Sequence, residues 1–411
     1  MMRPFYARMK KWHFLLFTFV IGLVLVSSPI LISHAAGQSP QSATSKPDIG
    51  GECGHWKPIT STNVVPGNNY LNSVALYYRS DVWAVGYYVN SAGNAQTLAE
   101  WRDAQTLHWS VYPSPNPGVN NVLNGLISTA ANDFWAVGDS YTVGPTTDSQ
   151  TLVERWNNLN KGWYLVPSPN AGSYNTLNAL AQVPNSSDLW AVGSSSVGSL
   201  IEQWNGTAWN VVPSPNPVGT SITLNAVSVL TANQAWAVGN YTDSSGQTQT
   251  LIERWNGTVW SIIPSPNVSG ASSNVLNGLS RTNGAQYLWA VGSSSMTGQD
   301  SSTLVEHWDG TSWTIVPSPN VGNSALYAVS EINTGNSWAL GYSTNKQGVM
   351  QTLAEQWNGT SWNVAFSPNK GHGNNSYRAI AHSFNHYALW AVGSYYNNQT
   401  ASENTLIANF C

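Results

Sequence analysis

Charge is scarce in this chain. Only 8% of its 411 residues are Asp, Glu, Lys or Arg, against roughly 25% in ordinary soluble domains. Polarity comes instead from Asn, Ser, Thr and Gln. Binders of nucleic acid show clustered basic patches, and none stands here, so nucleic acid is excluded as a partner. Cysteine is rarer still: Cys53 and Cys411 are the only two. No Gly-rich phosphate loop, Ser/His/Asp arrangement or cofactor fingerprint occurs, so no cofactor is expected. Apolar runs long enough to span a bilayer are absent after residue 35.

Before that point the sequence is different. Arg3, Arg8, Lys10 and Lys11 precede a long apolar run, 14–32, and Ser33-His34-Ala35 supplies small residues of the kind a signal peptidase reads. Residues 1–35 are expected to be a signal peptide, or a signal anchor if uncleaved. Residues 36–52 read as a flexible linker, rich in Ser, Pro, Gly and Gln. Losing four basic residues would take the formal net charge from −4 to about −8. A secreted or cell-surface protein without affinity for anionic membranes is expected.

What the chain has in abundance is a repeat. Trp-Ala-Val-Gly starts at Trp83, Trp135, Trp190, Trp236, Trp289 and Trp390, with Trp-Ala-Leu-Gly at Trp338. The seven copies number repeats one to seven. Their spacing of 46 to 55 residues is that of a propeller, solenoid or array. Each repeat reads as four short strands, as at 224–228, the Trp236 motif, 250–255 and 260–264. Asn-Gly or Asp-Gly before the fourth, as at Asn256-Gly257 and Asp309-Gly310, is a hairpin signal. Pro113, Pro167, Pro213, Pro264 and Pro317 end the fourth strands, usually within Pro-Ser-Pro-Asn. Proline cannot donate to a ladder, so the fourth strand is expected at the outer edge and the Leu-Asn-Ala strand innermost. Three rings of Trp, with Trp101 in the ring that ends third strands, are expected to pack between neighbouring units.

An all-β, seven-bladed β-propeller over 53–411 is the expected fold. The seventh repeat lacks its outer strand, and 56–60 match it. The ring would then close on three C-terminal strands and one N-terminal strand. On that alignment Cys411 and Cys53 fall on the two turn residues Asp309 and Gly310, so a disulfide between them is expected in an oxidising compartment.

The pattern resembles kelch repeats of the galactose oxidase-like propellers, and the Trp-Asn-Gly-Thr-Ser-Trp phrase at 357–362 is similar to tectonin-type lectin repeats. The resemblance implies a propeller. Kelch units usually carry Gly-Gly where this chain has Gly86-Tyr87 or Gly138-Asp139. The copper site implied by galactose oxidase needs a Tyr–Cys crosslink, for which the two terminal cysteines are unsuited.

Glu100, Glu154, Glu202, Glu253, Glu306 and Glu355 recur in one third-strand slot. One active site does not need six copies of its acid, so a structural role is expected, with hydrogen bonds from neighbouring strands or Trp N–H groups. His382 and His386 stand four apart, roughly 13 Å along a strand, so no metal site is expected. Asp139, Asp148, Asp243 and Asp300 are the acids available to an alternative reading, a carbohydrate-active hydrolase or lyase at the channel mouth.

The segments 87–96, 139–150, 240–249, 293–302, 342–351 and 394–404 read as long loops that differ between repeats. Variable loops on a rigid scaffold commonly carry function. They hold Tyr87, Tyr88, Asp139, Tyr141, Asn240, Tyr241, Tyr342, Tyr395 and Tyr396, the candidate binding residues, because Tyr offers contact area at low entropic cost. The sequence therefore reads as a monomeric, non-catalytic protein that binds a glycan or protein partner on this face. A purely structural cell-surface protein is a further alternative.

Overall fold

The computed structural model describes residues 54–410 except 65–66, 78–80, 142–147, 158, 282–286 and 384–385. The signal segment, the linker, Cys53 and Cys411 lie outside the described residues. Those described form strands and turns, with no helix among them.

In chain order, β1 (Trp56–Ile59) stands alone. Repeat one supplies β2 (Asn69–Tyr77), β3 (Asp81–Val89), β4 (Ala95–Arg102) and β5 (Trp109–Tyr112). Repeat two gives β6 (Asn120–Ala130), β7 (Asp133–Tyr141), β8 (Ser149–Asn157) and β9 (Gly162–Leu165). Repeat three gives β10 (Asn175–Gln182), β11 (Leu189–Ser195), β12 (Gly198–Trp204) and β13 (Trp209–Val211). Repeat four gives β14 (Thr220–Thr231), β15 (Gln234–Thr242), β16 (Thr248–Trp255) and β17 (Trp260–Ile262). Repeat five gives β18 (Ser273–Arg281), β19 (Leu288–Ser295), β20 (Ser302–Trp308) and β21 (Trp313–Ile315). Repeat six gives β22 (Ser324–Asn333), β23 (Asn336–Thr344), β24 (Met350–Trp357) and β25 (Trp362–Ala365). Repeat seven gives β26 (Asn375–Ser383), β27 (His386–Asn397) and β28 (Ser402–Phe410).

Within every repeat the strands pair antiparallel in chain order. Five sheets have four strands and one has eight, in which repeats four and five join through a single parallel pair, Thr248 with Ser273. β1 pairs with β28, setting Trp56 opposite Phe410 just as Trp260 stands opposite Trp255. First strands touch in succession: β2 with β6, then β10, β14, β18, β22 and β26, which returns to β2.

The core lies between repeats. Seven buried clusters each draw on two repeats, and the last pairs Trp390 and Val392 with Leu71, Val74 and Ala84 of repeat one. Alternation along a strand explains this, since successive side chains point to opposite faces. Trp83 and Val85 thus pack toward repeat two, while Val82 and Ala84 pack toward repeat seven. Burying one such Leu or Val contributes roughly 1.5–3 kcal/mol.

Each motif Trp meets the outer half of the next repeat. Trp236, for example, lies 4.7 Å from Trp308 and 5.7 Å from Trp313. Repeat one departs from the expected ring. Its turn between β4 and β5 is longer, so Arg102 rather than Trp101 stands opposite Trp109. The Arg102 guanidinium sits 4.9 Å over Trp390, and Trp101 packs instead near Trp83 and Tyr112.

The supposed long loops are mostly tight hairpins. β3 runs on through Tyr87 and Tyr88 before Asn90 Oδ1 caps the turn and Gly93 takes a positive φ of 81°. Asp243 with Gly246 and Asn345 with Gly348 repeat the device. One polar side chain accepting two turn amides lets each strand persist for several residues beyond what the sequence suggested.

Candidate functional site

The motif Gly creates the site. A Cβ at Gly86, Gly138, Gly193, Gly239, Gly292, Gly341 or Gly393 would lie 1.9–2.0 Å from a carbonyl oxygen of the repeat's first strand. Only glycine permits that approach. Just past the contact every first strand bulges, between Leu71 and Ser73 in repeat one and at the matching place in the other six. A bulge leaves one residue unpaired and re-aims its side chain.

In five repeats that residue is Asn. Asn72, Asn124, Asn178, Asn225 and Asn277 donate through Nδ2 to Leu123, Leu177, Leu224, Leu276 and Leu326 carbonyls of the next repeat, at 2.8–3.1 Å. Repeats six and seven break the series with Tyr327 and Arg378. The exposed Arg378 guanidinium lies 4.3 Å from the Tyr327 ring centroid. Tyr327 in turn stacks on Tyr342 at 5.9 Å, and Tyr70 stacks on Tyr87 at 4.7 Å.

These groups feel one another. Burial raises the Tyr87 and Tyr342 hydroxyls, while the Arg378 charge pulls both back. Tyr70 is pushed up to about 12 by burial, then by Tyr87 and Glu403. Burial also raises Glu403, against the pull of Ser394 and Arg378. Tyr70, Tyr87, Tyr327, Tyr342, Arg378 and Glu403 therefore form one group, drawn from repeats one, six and seven.

The candidate residues read from sequence divide by alternation. Tyr87, Asp139, Asn240 and Tyr342 directly follow the motif Gly and neighbour the bulged slot. Asp139 accepts from Thr176 at 3.0 Å and faces Asn124, and Asn240 faces Asn225. One residue further, Tyr88, Tyr241 and Tyr395 turn the other way and pack into inter-repeat cores. Tyr88 and Tyr241 stay half-buried there, while Tyr395 is only 7% exposed, with Lys370 Nζ 4.9 Å over its ring. Tyr141 is exposed and close enough to influence Tyr87. Tyr396 is half-buried near the end of β27 and stands opposite Glu403 in the β27–β28 ladder.

Tyr70, Tyr327, Arg378 and Glu403 were missed. Tyr327 and Arg378 were visible as departures from the Leu-Asn pattern of the first strand, whereas Tyr70 precedes an intact Leu71-Asn72. Glu403 carries no such mark.

The six repeated Glu residues are all fully buried. Their partners come not from Trp N–H groups but from the Ser of Pro-Ser-Pro-Asn in the preceding repeat. Ser114 donates to Glu154, Ser168 to Glu202 and Ser318 to Glu355, each at 2.5 Å, Ser265 to Glu306 at 3.0 Å, and Ser214 to Glu253. At Glu100 the Thr62 backbone N–H exerts a slight lowering without making a full hydrogen bond. The Asn of the same phrase caps its own third strand, as Asn267 Oδ1 does for Thr250 N at 3.0 Å. Burial pushes Glu100, Glu154 and Glu306 up to about 8, and Glu202, Glu253 and Glu355 up to about 7.

Among the described residues no group of His, Cys, Asp and Glu is arranged to hold a metal ion. Two surface grooves of about 540 and 510 Å³ lie elsewhere, one lined by Tyr174, Val197 and Thr220, the other by Val268, Met296 and Ile315. Asp300 is the one charged side chain in either, so the Tyr–Arg group holds the richer chemistry.

No protein-family model matches the chain, and no curated protein matches it. Among solved structures it is similar to "YCF48 bound to D1 peptide", with a TM-score of 0.52 and 14% identity over 86% of this chain and 96% of that one. It is also similar to "Structure of YjhT", with a TM-score of 0.48 and 10% identity over 74% and 98%. The first likeness and the repeated antiparallel sheets make this an all-β repeat protein of the β-propeller class.

Proposed function

We propose that the chain is a non-catalytic binding module that takes a protein segment at the mouth formed by repeats six, seven and one. The observation that carries this is the broken Asn series. Five bulged residues are engaged in tying repeats together, and the two that are not, Tyr327 and Arg378, stand beside stacked tyrosines. Aromatic and Arg side chains are the residue types that anchor protein partners. That the propeller YCF48 was solved with a peptide bound is consistent with such use of the fold. Two of the four acids open to an enzyme are occupied locally. Asp139 accepts from Thr176, and Asp243 from Ser245, Gln247 and Gln249 within its own turn.

The frame we propose is a seven-bladed, kelch-like ring. The single-pair join lets the eight-stranded sheet count as two blades, and the cycle of first-strand contacts supports closure. β1 would complete the seventh blade, with Cys53 and Cys411 bridged beside it. Export through residues 1–35, and a monomeric state outside the cell, complete the proposal.

Panning the full chain against a library of random linear peptides tests the binding role. Peptides should be retained by the wild type and lost by a Tyr87→Ala/Tyr342→Ala double variant that melts normally. Retention of glycans but no peptides would refute the choice of partner.

A further inference from the structure

We infer that the bound segment is anchored by a carboxylate on Arg378. This rests on the binding role proposed above and names the chemistry of the partner.

The bulge aims Arg378 out of the β ladder, and its guanidinium carbon lies over the Tyr327 ring, 4.3 Å from the centroid. An Arg held by one face keeps its edge N–H groups free, and that fork matches a planar carboxylate through two parallel hydrogen bonds. Among the described residues the one ion pair joins Arg155 to Asp133. Arg378 is thus an exposed cation with no acid among the described residues within ion-pair reach. Glu403 is near enough to feel the Arg378 charge but lies beyond ion-pair distance from it.

The surroundings suit the same ligand. The two Tyr stacks supply flat apolar walls, and their phenol groups can donate to a carboxylate oxygen. A cationic ligand would be repelled by Arg378. A fully apolar one would leave its N–H groups covered and unpaired, at a cost of about 1–3 kcal/mol or more. The shared chemistry is a carboxylate at the end or on the side chain of a peptide.

Three arrays of random heptapeptides separate the sources: free C-termini, amidated C-termini, and amidated C-termini without Asp or Glu. The full chain should retain the first, the second or both, but not the third. Retention of the first alone assigns the terminal carboxylate; retention of the second assigns a side chain. Masking the acid in a retained peptide should weaken it about tenfold or more, the scale of a charge-assisted hydrogen bond. Arg378→Gln should lose as much while melting like the wild type, Arg378→Lys should retain part, and raised salt should weaken binding. If the third array binds equally and Arg378→Gln changes nothing, while Tyr87→Ala/Tyr342→Ala abolishes binding, the carboxylate anchor is wrong and the peptide role stands. If no array is retained, or binding ignores all of these substitutions, both are overturned.

Discussion

Glu253 gives the most direct test of how the fold manages its buried acids. It lies in β16, fully buried, accepts from Ser214 of the preceding repeat, and burial pushes it up to about 7. The folded protein therefore holds this proton at pH values where the unfolded chain, with a carboxyl at 4.5, has released it. The native state binds more protons, so the stability this group allows is full below pH 4.5, falls as pH rises toward 7, and levels off above. At about 1.4 kcal/mol for each pH unit, the loss is about 3 kcal/mol. Glu253→Gln removes the titration and keeps an acceptor for Ser214. Denaturant melts should find the variant within about 1 kcal/mol of wild type near pH 4.5 and about 3 kcal/mol more stable near pH 8. Coincident stability curves for the two proteins across this range would show that Glu253 is not held neutral, and the reasoning would fail for the whole series.

Other outcomes follow from the same geometry. Asn225→Ala removes the 2.8 Å bond to the Leu276 carbonyl and should cost about 1 kcal/mol in a denaturant melt. Gly239→Ala would drive a Cβ to 1.9 Å from the Thr223 oxygen; about 3 kcal/mol or failure to fold is expected, read as loss of soluble protein or a lowered Tm. Tyr395→Ala should destabilise by about 3 kcal/mol, as for a buried aromatic, whereas Tyr87→Ala should change peptide binding with little effect on Tm. Mass spectrometry of the exported protein should find Cys53 and Cys411 joined, and reduction should lower stability by up to about 6 kcal/mol, the entropic value for so long a loop.

The architecture was legible because each repeat spells out its own chemistry: Gly for the close approach, Asn-Gly for the turn, Pro at the edge. What failed were features set by small local counts. Three extra residues between Trp101 and Trp109 moved Arg102 into the slot assigned to Trp101, whereas two extra in repeat two kept Trp156 opposite Trp163. The tyrosines were read as a single loop population because hairpin turns such as 90–94 cannot be told from wandering loops by composition. Once the strands run on, alternation separates Tyr87 from Tyr88 and buries Tyr395. Arg378 broke the Asn series in plain view, but its outward aim comes from the bulge. The Ser of Pro-Ser-Pro-Asn went unread for a related reason, since its partner Glu lies about 40 residues ahead, in the next repeat.

The buried acids also alter how the folded protein moves in an electric field. The formal net charge of −4 counts all six as ionised. Near pH 6 the fold keeps most of them protonated, so the folded protein carries up to six fewer negative charges than that count. Denaturation releases those protons, so isoelectric focusing should place the folded form at a higher isoelectric point than the unfolded one.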